Sequence, residues 1–405
     1  MSKDKLIPEL RFPEFLEKEG WEIKEVGEIF QVTRGYVLSM TLVKELPTED
    51  YPYPVFSSQT KNNGLAGYYN EYLYEDAITW TTDGANAGDV NYRDGKFYCT
   101  NVCGVLLNEE GIANPCIAEL INSVSKKHVS YVGNPKLMNG VMSKIQIPVP
   151  SIKEQQKIAS CLSSLDELIA AHKDKLDALK DHKKGLLQNL FPQEGETVPK
   201  LRFPEFEEDG EWELKPFSKF IKLYRGSSPR PIREYLTKEE TGVNWIKIGD
   251  TSSITDFVIR SVSEKITPKG AEKSRRVKKG ELILANSMSY GSTYLLEVEG
   301  CIYDGWFVLR EYEEHFDKQF LLQLLNSEYT QGQYKRFAAG GIVQNISSEI
   351  VYSITLSKTS KEEQQKIASC LSAVDELIIA QQEKIEQLQQ HKKGLMQGLF
   401  PKIND

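Results

Sequence analysis

The sequence has no apolar run near the roughly 18 residues that a membrane-spanning helix needs, and its opening, MSKDKLIPEL, carries no signal-peptide core. A cytoplasmic protein without membrane contact is expected. Cysteine is scarce, 6 residues in 405, without the spacing of a disulfide framework, which fits reduced thiols. There is no G-x-x-x-x-G-K-[ST] loop and no H-E-x-x-H, so P-loop hydrolysis and zincin chemistry have no support. Asn114-Pro115-Cys116-Ile117 has part of an amino-methyltransferase motif but lacks its second proline and its aromatic residue. No glycine-rich S-adenosylmethionine fingerprint stands upstream. Glu22-x-Lys24 and Glu213-x-Lys215 end like a nuclease motif without its aspartate, and amphipathic strands are expected there. Cys99, Cys103 and Cys116 lack paired C-x-x-C spacing and are expected in strand cores rather than on a metal. These absences leave no catalytic residue, no metal and no cofactor.

What is present is duplication. EQQKIASCL opens Glu154–Pro192 and again Glu363–Pro401, at an offset of 209 residues (363 − 154), and both copies close on HKKGL and LFP. In the first copy Ile158, Leu162, Leu165, Ile169, Leu176 and Leu179 follow steps of four and three; in the second Ile367, Leu371, Val374, Ile378, Ile385 and Leu388 do so. A period near 3.5 is the seam of a left-handed coiled coil. The seam is interrupted at His172 and Lys183, and at Gln381 and Lys392, in the same register, so the two helices are expected to pair with each other; a rotation relating the halves would make them antiparallel. A second repeat, RFPEF followed by WEIK or WELK, recurs at an offset of 191 (212 − 21), together with Arg34-Gly35 and Arg225-Gly226.

The expected fold class is α+β: two globular α/β blocks joined by two long antiparallel coiled-coil helices in a pseudo-two-fold repeat. The boundaries are residues 1–150 for the first block, 151–192 for the first helix, 193–198 for a linker, 199–358 for the second block and 359–401 for the second helix. DAITW, KFYCT and VCGVLL, then VNWIKIG, ELILA and WFVLR, are expected strands, and Lys318–Tyr334 an amphipathic helix. Repeated flanks around unrepeated interiors imply a shared scaffold with different contacts.

Net charge is −8, yet Lys222–Arg233 holds four basic residues and no acid, and Arg260–Gly280 holds eight basic residues and two acids. Such clusters suit phosphates, and arginine, asparagine and glutamine suit base edges. In the first block the candidate DNA contacts are Arg34, Lys61, Asn62, Asn63, Thr82 and Asn86. In the second they are Arg225, Arg230, Arg233, Arg275, Arg276 and Lys278, with Asn286, Tyr290, Gln344 and Asn345 in polar loops. A solvated basic face explains the charge equally well.

The two RFPEF…WE openings, the two EQQKIA…LDELI and EQQKIA…VDELI helix starts and the two HKKGL…LFP ends resemble the specificity subunit of type I restriction-modification systems. SKIQIPVPSIKEQQKIA is typical of that family's junction between a target recognition domain and a conserved helix; SITLSKTSKEEQQKIA, at the second junction, lacks its prolines. The resemblance covers essentially the whole chain. It implies a non-catalytic protein that reads a bipartite double-stranded DNA target, one domain per half-site. It also implies as partners two methyltransferase subunits and, through the complex, restriction and motor subunits. Residues 158–190 would make a rod of about 50 Å, comparable to about 14 base pairs. A protein-binding coiled-coil scaffold without DNA recognition is the competing reading.

Overall fold

The computed structural model describes residues 6–58, 62–252, 254–287, 291–338 and 345–402. The chain forms two compact units, residues 1–173 with 384–405, and residues 174–383. Among the described residues, no helix is long and apolar enough to cross a membrane.

The first unit is built on a six-stranded sheet. Its order is Gln31–Arg34, Cys103–Leu107, Tyr74–Thr81, Val90–Cys99, Tyr53–Phe56 and Leu65–Tyr69, antiparallel except where Tyr53–Phe56 runs parallel to Val90–Cys99. Alternation sends Ile78, Trp80 and Leu106 into a core against the helix Pro115–Ser125. The opposite face carries a smaller cluster of Ala77, Phe97, Cys99, Cys103 and Val105. Asn114 caps the helix, its side chain accepting from the Ile117 amide at 3.1 Å. The Asn-Pro-Cys-Ile stretch is therefore a helix start. Cys116 sits on that helix, not in a strand as expected, while Cys99 and Cys103 are strand residues.

In the second unit there are two five-stranded sheets. One runs Lys222–Arg225, Trp306–Arg310, Leu282–Ala285, Thr293–Leu296, Val258–Ile259; the other Leu236–Thr237, Glu264–Ile266, Val243–Ile246, Gly300–Ile302, Arg275–Val277. The expected helix over Lys318–Tyr334 is two helices, Lys318–Asn326 and Glu328–Ala338. Ser327 turns extended between them, and its hydroxyl accepts from the Thr330 amide. Apolar periodicity does not register such a cap.

Within each unit the WEIK-type strand pairs antiparallel with the segment that ends the block: Glu22–Glu25 with Gln146–Val149, and Glu213–Pro216 with Thr355–Lys358. The long helices Ile152–Asn189 and Lys361–Leu399 follow. Each starts at a serine, Ser151 or Ser360, that accepts from the amide three residues on. The first unit holds Ile158 and Leu162 beside Leu395 and Leu399, and the second holds Leu186 and Leu190 beside Ile367 and Leu371. The paired segments are thus antiparallel in each unit. All six seam residues of the later helix are buried, as are Ile158, Leu162 and Ile169, whereas Leu165, Leu176 and Leu179 are half-buried.

The two repeats, with their different offsets, meet in two ion pairs in each unit, an exposed one, Glu14–Lys157 or Glu205–Lys366, and a buried one. Arg11 of the first RFPEF donates to Glu154 of the first EQQKIA at 2.7 and 2.9 Å, and Arg202 donates to Glu363 at 2.8 and 2.9 Å. The side chains are nearly fully buried, 3% and 2% exposed in the first pair and 6% and 1% in the second. The carboxylate raises the pKa of each guanidinium, the hydrogen bond outweighing the burial. Leu10 also donates its amide to Gly398, as Leu201 does to Asn189, so each RFPEF segment leans on the end of a long helix.

Candidate nucleic-acid interface

In the second unit, the candidate residues gather around one residue that composition did not reveal, Asp304. It lies in the turn between Gly300–Ile302 and Trp306–Arg310. Its carboxylate accepts from Arg230 Nη2 at 3.1 Å and from the Ser228 amide at 2.8 Å. Its carbonyl accepts from Arg225 Nε at 3.3 Å and Asn286 Nδ2 at 2.9 Å. Arg230 remains widely exposed, so the carboxylate orients a guanidinium that still faces solvent. Asn286 is buried and spends its amide on the turn, which makes it a loop-shaping residue in this structure. Asn345 is exposed and bridges to Ser287.

Arg275 extends this surface by donating from Nε to the Arg225 carbonyl at 3.1 Å. With Arg276, Lys278, Lys273 and Arg310 it lines an open cavity of about 550 Å³. Arg310 is held by Glu281 at 2.7 Å, which raises its pKa. The guanidinium groups of Arg275 and Arg310 both lie over the Tyr224 ring, at 5.7 and 5.6 Å. The chemistry is that of a polyanion-facing surface: a cluster of permanent cations oriented by few acids among the described residues. Arg233 is exposed on the Ile232–Glu234 turn. Tyr290 and Gln344 lie outside the described residues.

The first unit is polar rather than basic. Arg34 is exposed on the edge strand Gln31–Arg34. Gly35 follows because a Cβ there would sit 2.0 Å from the Cys99 carbonyl oxygen; Gly226 repeats this against Tyr303, also at 2.0 Å. The recurring Arg-Gly is thus set by close backbone approach at glycine. Asn63 adopts a left-handed backbone, φ 51°, in the Asn62–Gly64 turn. Thr82 is buried, its hydroxyl donating to the Val102 carbonyl at 2.9 Å, a structural role. Asn63 and Asn86 line a polar cavity of about 260 Å³ with Asn91, Thr79 and Arg93. Sequence reading missed Arg93, which shares its strand with the exposed charges Asp94 and Lys96, so nothing in the sequence singled it out. Lys61 lies outside the described residues.

Four of the six cysteines, Cys99, Cys103, Cys116 and Cys301, are ordinary buried core residues. Burial pushes the Cys103 thiol up to about 11 and the Cys99 and Cys116 thiols higher still.

Comparison with known proteins agrees across the whole length. The family model for the type I restriction modification DNA specificity domain matches twice, over residues 18–181 and 210–390. A type I restriction enzyme specificity subunit of Methanocaldococcus jannaschii is 25% identical over 94% of this chain and 92% of its own. A putative type I specificity subunit N-terminus of Mycoplasma pneumoniae is 40% identical over 35% of this chain and 75% of its own. Among solved structures, the S subunit of a type I restriction-modification system from M. genitalium superposes with a TM-score of 0.62 at 14% identity, covering 98% of this chain and 100% of that one. A type I system structure described for its complex assembly gives 0.60 at 15% identity, covering 94% and 98%. With the domain found twice, once in each half, and a matching fold along its length, this chain belongs to the type I restriction-modification DNA specificity family.

Proposed function

We propose that the chain reads a bipartite double-stranded DNA sequence, one half-site through each unit, and does no chemistry of its own. One observation carries this reading. The scaffold contacts recur residue for residue, Arg11–Glu154 as Arg202–Glu363 and Leu10–Gly398 as Leu201–Asn189. The exposed faces recur only at Arg34 and Arg225: beyond that pair the second unit presents Arg230, Arg275, Arg276 and Lys278, and the first presents Asn63 and Asn86. A frame kept twice under two different faces is what reading two different half-sites requires. The paired long helices would set the gap between the half-sites. Two methyltransferase subunits, carrying S-adenosylmethionine and adenine chemistry, would dock on this frame, and restriction and motor subunits would join through them.

The test is co-expression with the methyltransferase subunit in a host that lacks adenine methylation, followed by methylome sequencing. The expected result is a single two-part motif whose halves change independently when one unit is exchanged with that of another family member. Methylation with no second protein would overturn the non-catalytic role. Salt-insensitive DNA binding by the complex would favour a protein-only scaffold.

A further inference from the structure

Arg93 is a buried cation with no carboxylate partner among the described residues. It projects from the strand Val90–Cys99 and is only 9% exposed. Its Nε donates to Thr79 Oγ1 at 2.9 Å and its Nη2 to the Asn63 carbonyl at 2.7 Å. The guanidinium lies 3.7 Å over the Phe56 ring. Among the described residues, no acid pairs with it, whereas Arg11 and Arg202, the comparably buried arginines, each hold a glutamate at under 3 Å. Nη1 has no hydrogen-bond partner among the described residues, and Arg93 lines the 260 Å³ cavity. Asn63, Asn86, Asn91 and Asn122 line the same cavity. The one acid in the lining, Asp89, is neutralised by Lys126 at 2.7 Å.

A desolvated guanidinium is costly unless an anion or a full set of acceptors faces it. Burial accordingly pulls its pKa down to about 10, which still leaves it charged at neutral pH. Thr79 and Asn63 supply two neutral acceptors for five N–H groups. A ligand with paired anionic oxygens would satisfy the remaining edge in the bidentate manner of arginine and phosphate. Such a ligand also accepts from amide N–H groups, which the asparagines offer.

We propose that this cavity is a phosphate-binding subsite of the first unit, with Arg93 as its anchor and Asn86 as a second donor. It rests on the DNA-reading function above when the phosphate is a backbone group of the bound duplex. The same chemistry accepts free inorganic phosphate.

The test uses the full chain with its methyltransferase subunit and compares wild type with Arg93→Gln, Arg93→Lys and Asn86→Ala. Arg93→Gln keeps a donor for Thr79 and removes the charge. Duplex affinity should fall roughly ten- to hundred-fold. The loss should be equal for target and non-target DNA, with a salt slope lower by about one unit and an unchanged methylated motif. Asn86→Ala should weaken binding less, and Arg93→Lys should restore the slope but only part of the affinity. In a second arm, thermal shift in inorganic phosphate against chloride at matched ionic strength reports the free anion. Phosphate stabilising wild type but not Arg93→Gln supports the subsite with either source, and an effect seen with DNA alone assigns the source to the backbone. Relaxed specificity at one base of the first half-site would overturn the proposal in favour of a base reader. A lowered melting temperature with DNA and phosphate binding unchanged in the folded fraction would overturn it in favour of a purely structural arginine. A wild-type complex that shows no DNA specificity would instead strike the DNA-reading function itself.

Discussion

Lys183 donates from Nζ to Asp375 Oδ1 at 2.6 Å, and Lys392 makes the equivalent contact with Asp166 at 2.7 Å. The two pairs are related by the 209-residue repeat (392 − 183 and 375 − 166), one in each unit. Both lysines occupy positions where the apolar seam is interrupted. A lysine facing a seam loses hydration, and an opposing carboxylate offsets that loss only when the helices are antiparallel and in this register. The interruptions therefore specify the pairing that the leucines stabilise.

Removing one partner should cost more where water is scarcer. Lys183 and Asp375 side chains are 12% and 20% exposed, while Asp166 is 58% exposed. Asp375→Ala should destabilise the second unit by about 1–3 kcal/mol, and Asp166→Ala the first by under about 1 kcal/mol. Replacing Lys183 and Asp375 together by leucine should be near neutral. Urea titration with probes in each unit measures this; a larger loss at Asp166 would show that burial does not set the strength of these pairs.

Glu154→Gln and Glu363→Gln test the junction between the two repeats. Each leaves a buried guanidinium unpaired, at an expected loss of about 3–5 kcal/mol. Hydrogen exchange should show Glu154→Gln loosening the Glu22–Glu25 and Gln146–Val149 strands, with the second unit still protected. Uniform loosening of both units would contradict local action.

Glycines separate into two classes with opposite signs. A Cβ at Gly35 or Gly226 would meet a carbonyl oxygen at 2.0 Å, so alanine at either should cost at least about 2 kcal/mol. Gly185 and Gly394 are helical, with open space where a Cβ would go, and alanine there should stabilise by about 0.5–1 kcal/mol. Melting temperatures of the four variants decide it.

Thiol labelling should divide the cysteines by burial. At pH 8, Cys161 and Cys370, half-exposed on the long helices, should react, while Cys99, Cys103, Cys116 and Cys301 should not until the chain unfolds. Burial raises the pKa of all four, so the folded state holds its protons longer than the unfolded chain. That contribution to stability is complete below the usual thiol range near about 8.5 and is lost as pH rises toward the folded values, about 11 at Cys103. Rapid labelling of Cys103 in the native protein would contradict this.

Asp304→Ala should release Arg230 and the Ser228 amide, which the carboxylate holds, while Arg225 and Asn286 keep the backbone carbonyl of residue 304. The expected result is a methylated motif degraded in the half read by the second unit, with the other half intact. A motif unchanged in both halves would remove this turn from recognition.

Much of the architecture was legible because repeats and periodicity are properties of the chain read in order. The heptad steps, the twin EQQKIASCL and RFPEF segments and the β-branched runs marked the helices, the duplication and most strands before any coordinates. The basic clusters around Arg225 and Arg275 were legible as charge. What only the tertiary structure decided are contacts between residues far apart in sequence. Arg11 meets Glu154 across 143 positions and Arg202 meets Glu363 across 161. Neither offset, 191 or 209, predicts that the repeats touch. Asp304 organises three candidates from a turn that composition gives no reason to notice, and Arg93 differs from an exposed arginine only through what surrounds it. Periodicity reports which face of an element is buried; it carries no information about which buried polar group meets which, because that depends on how the chain returns on itself.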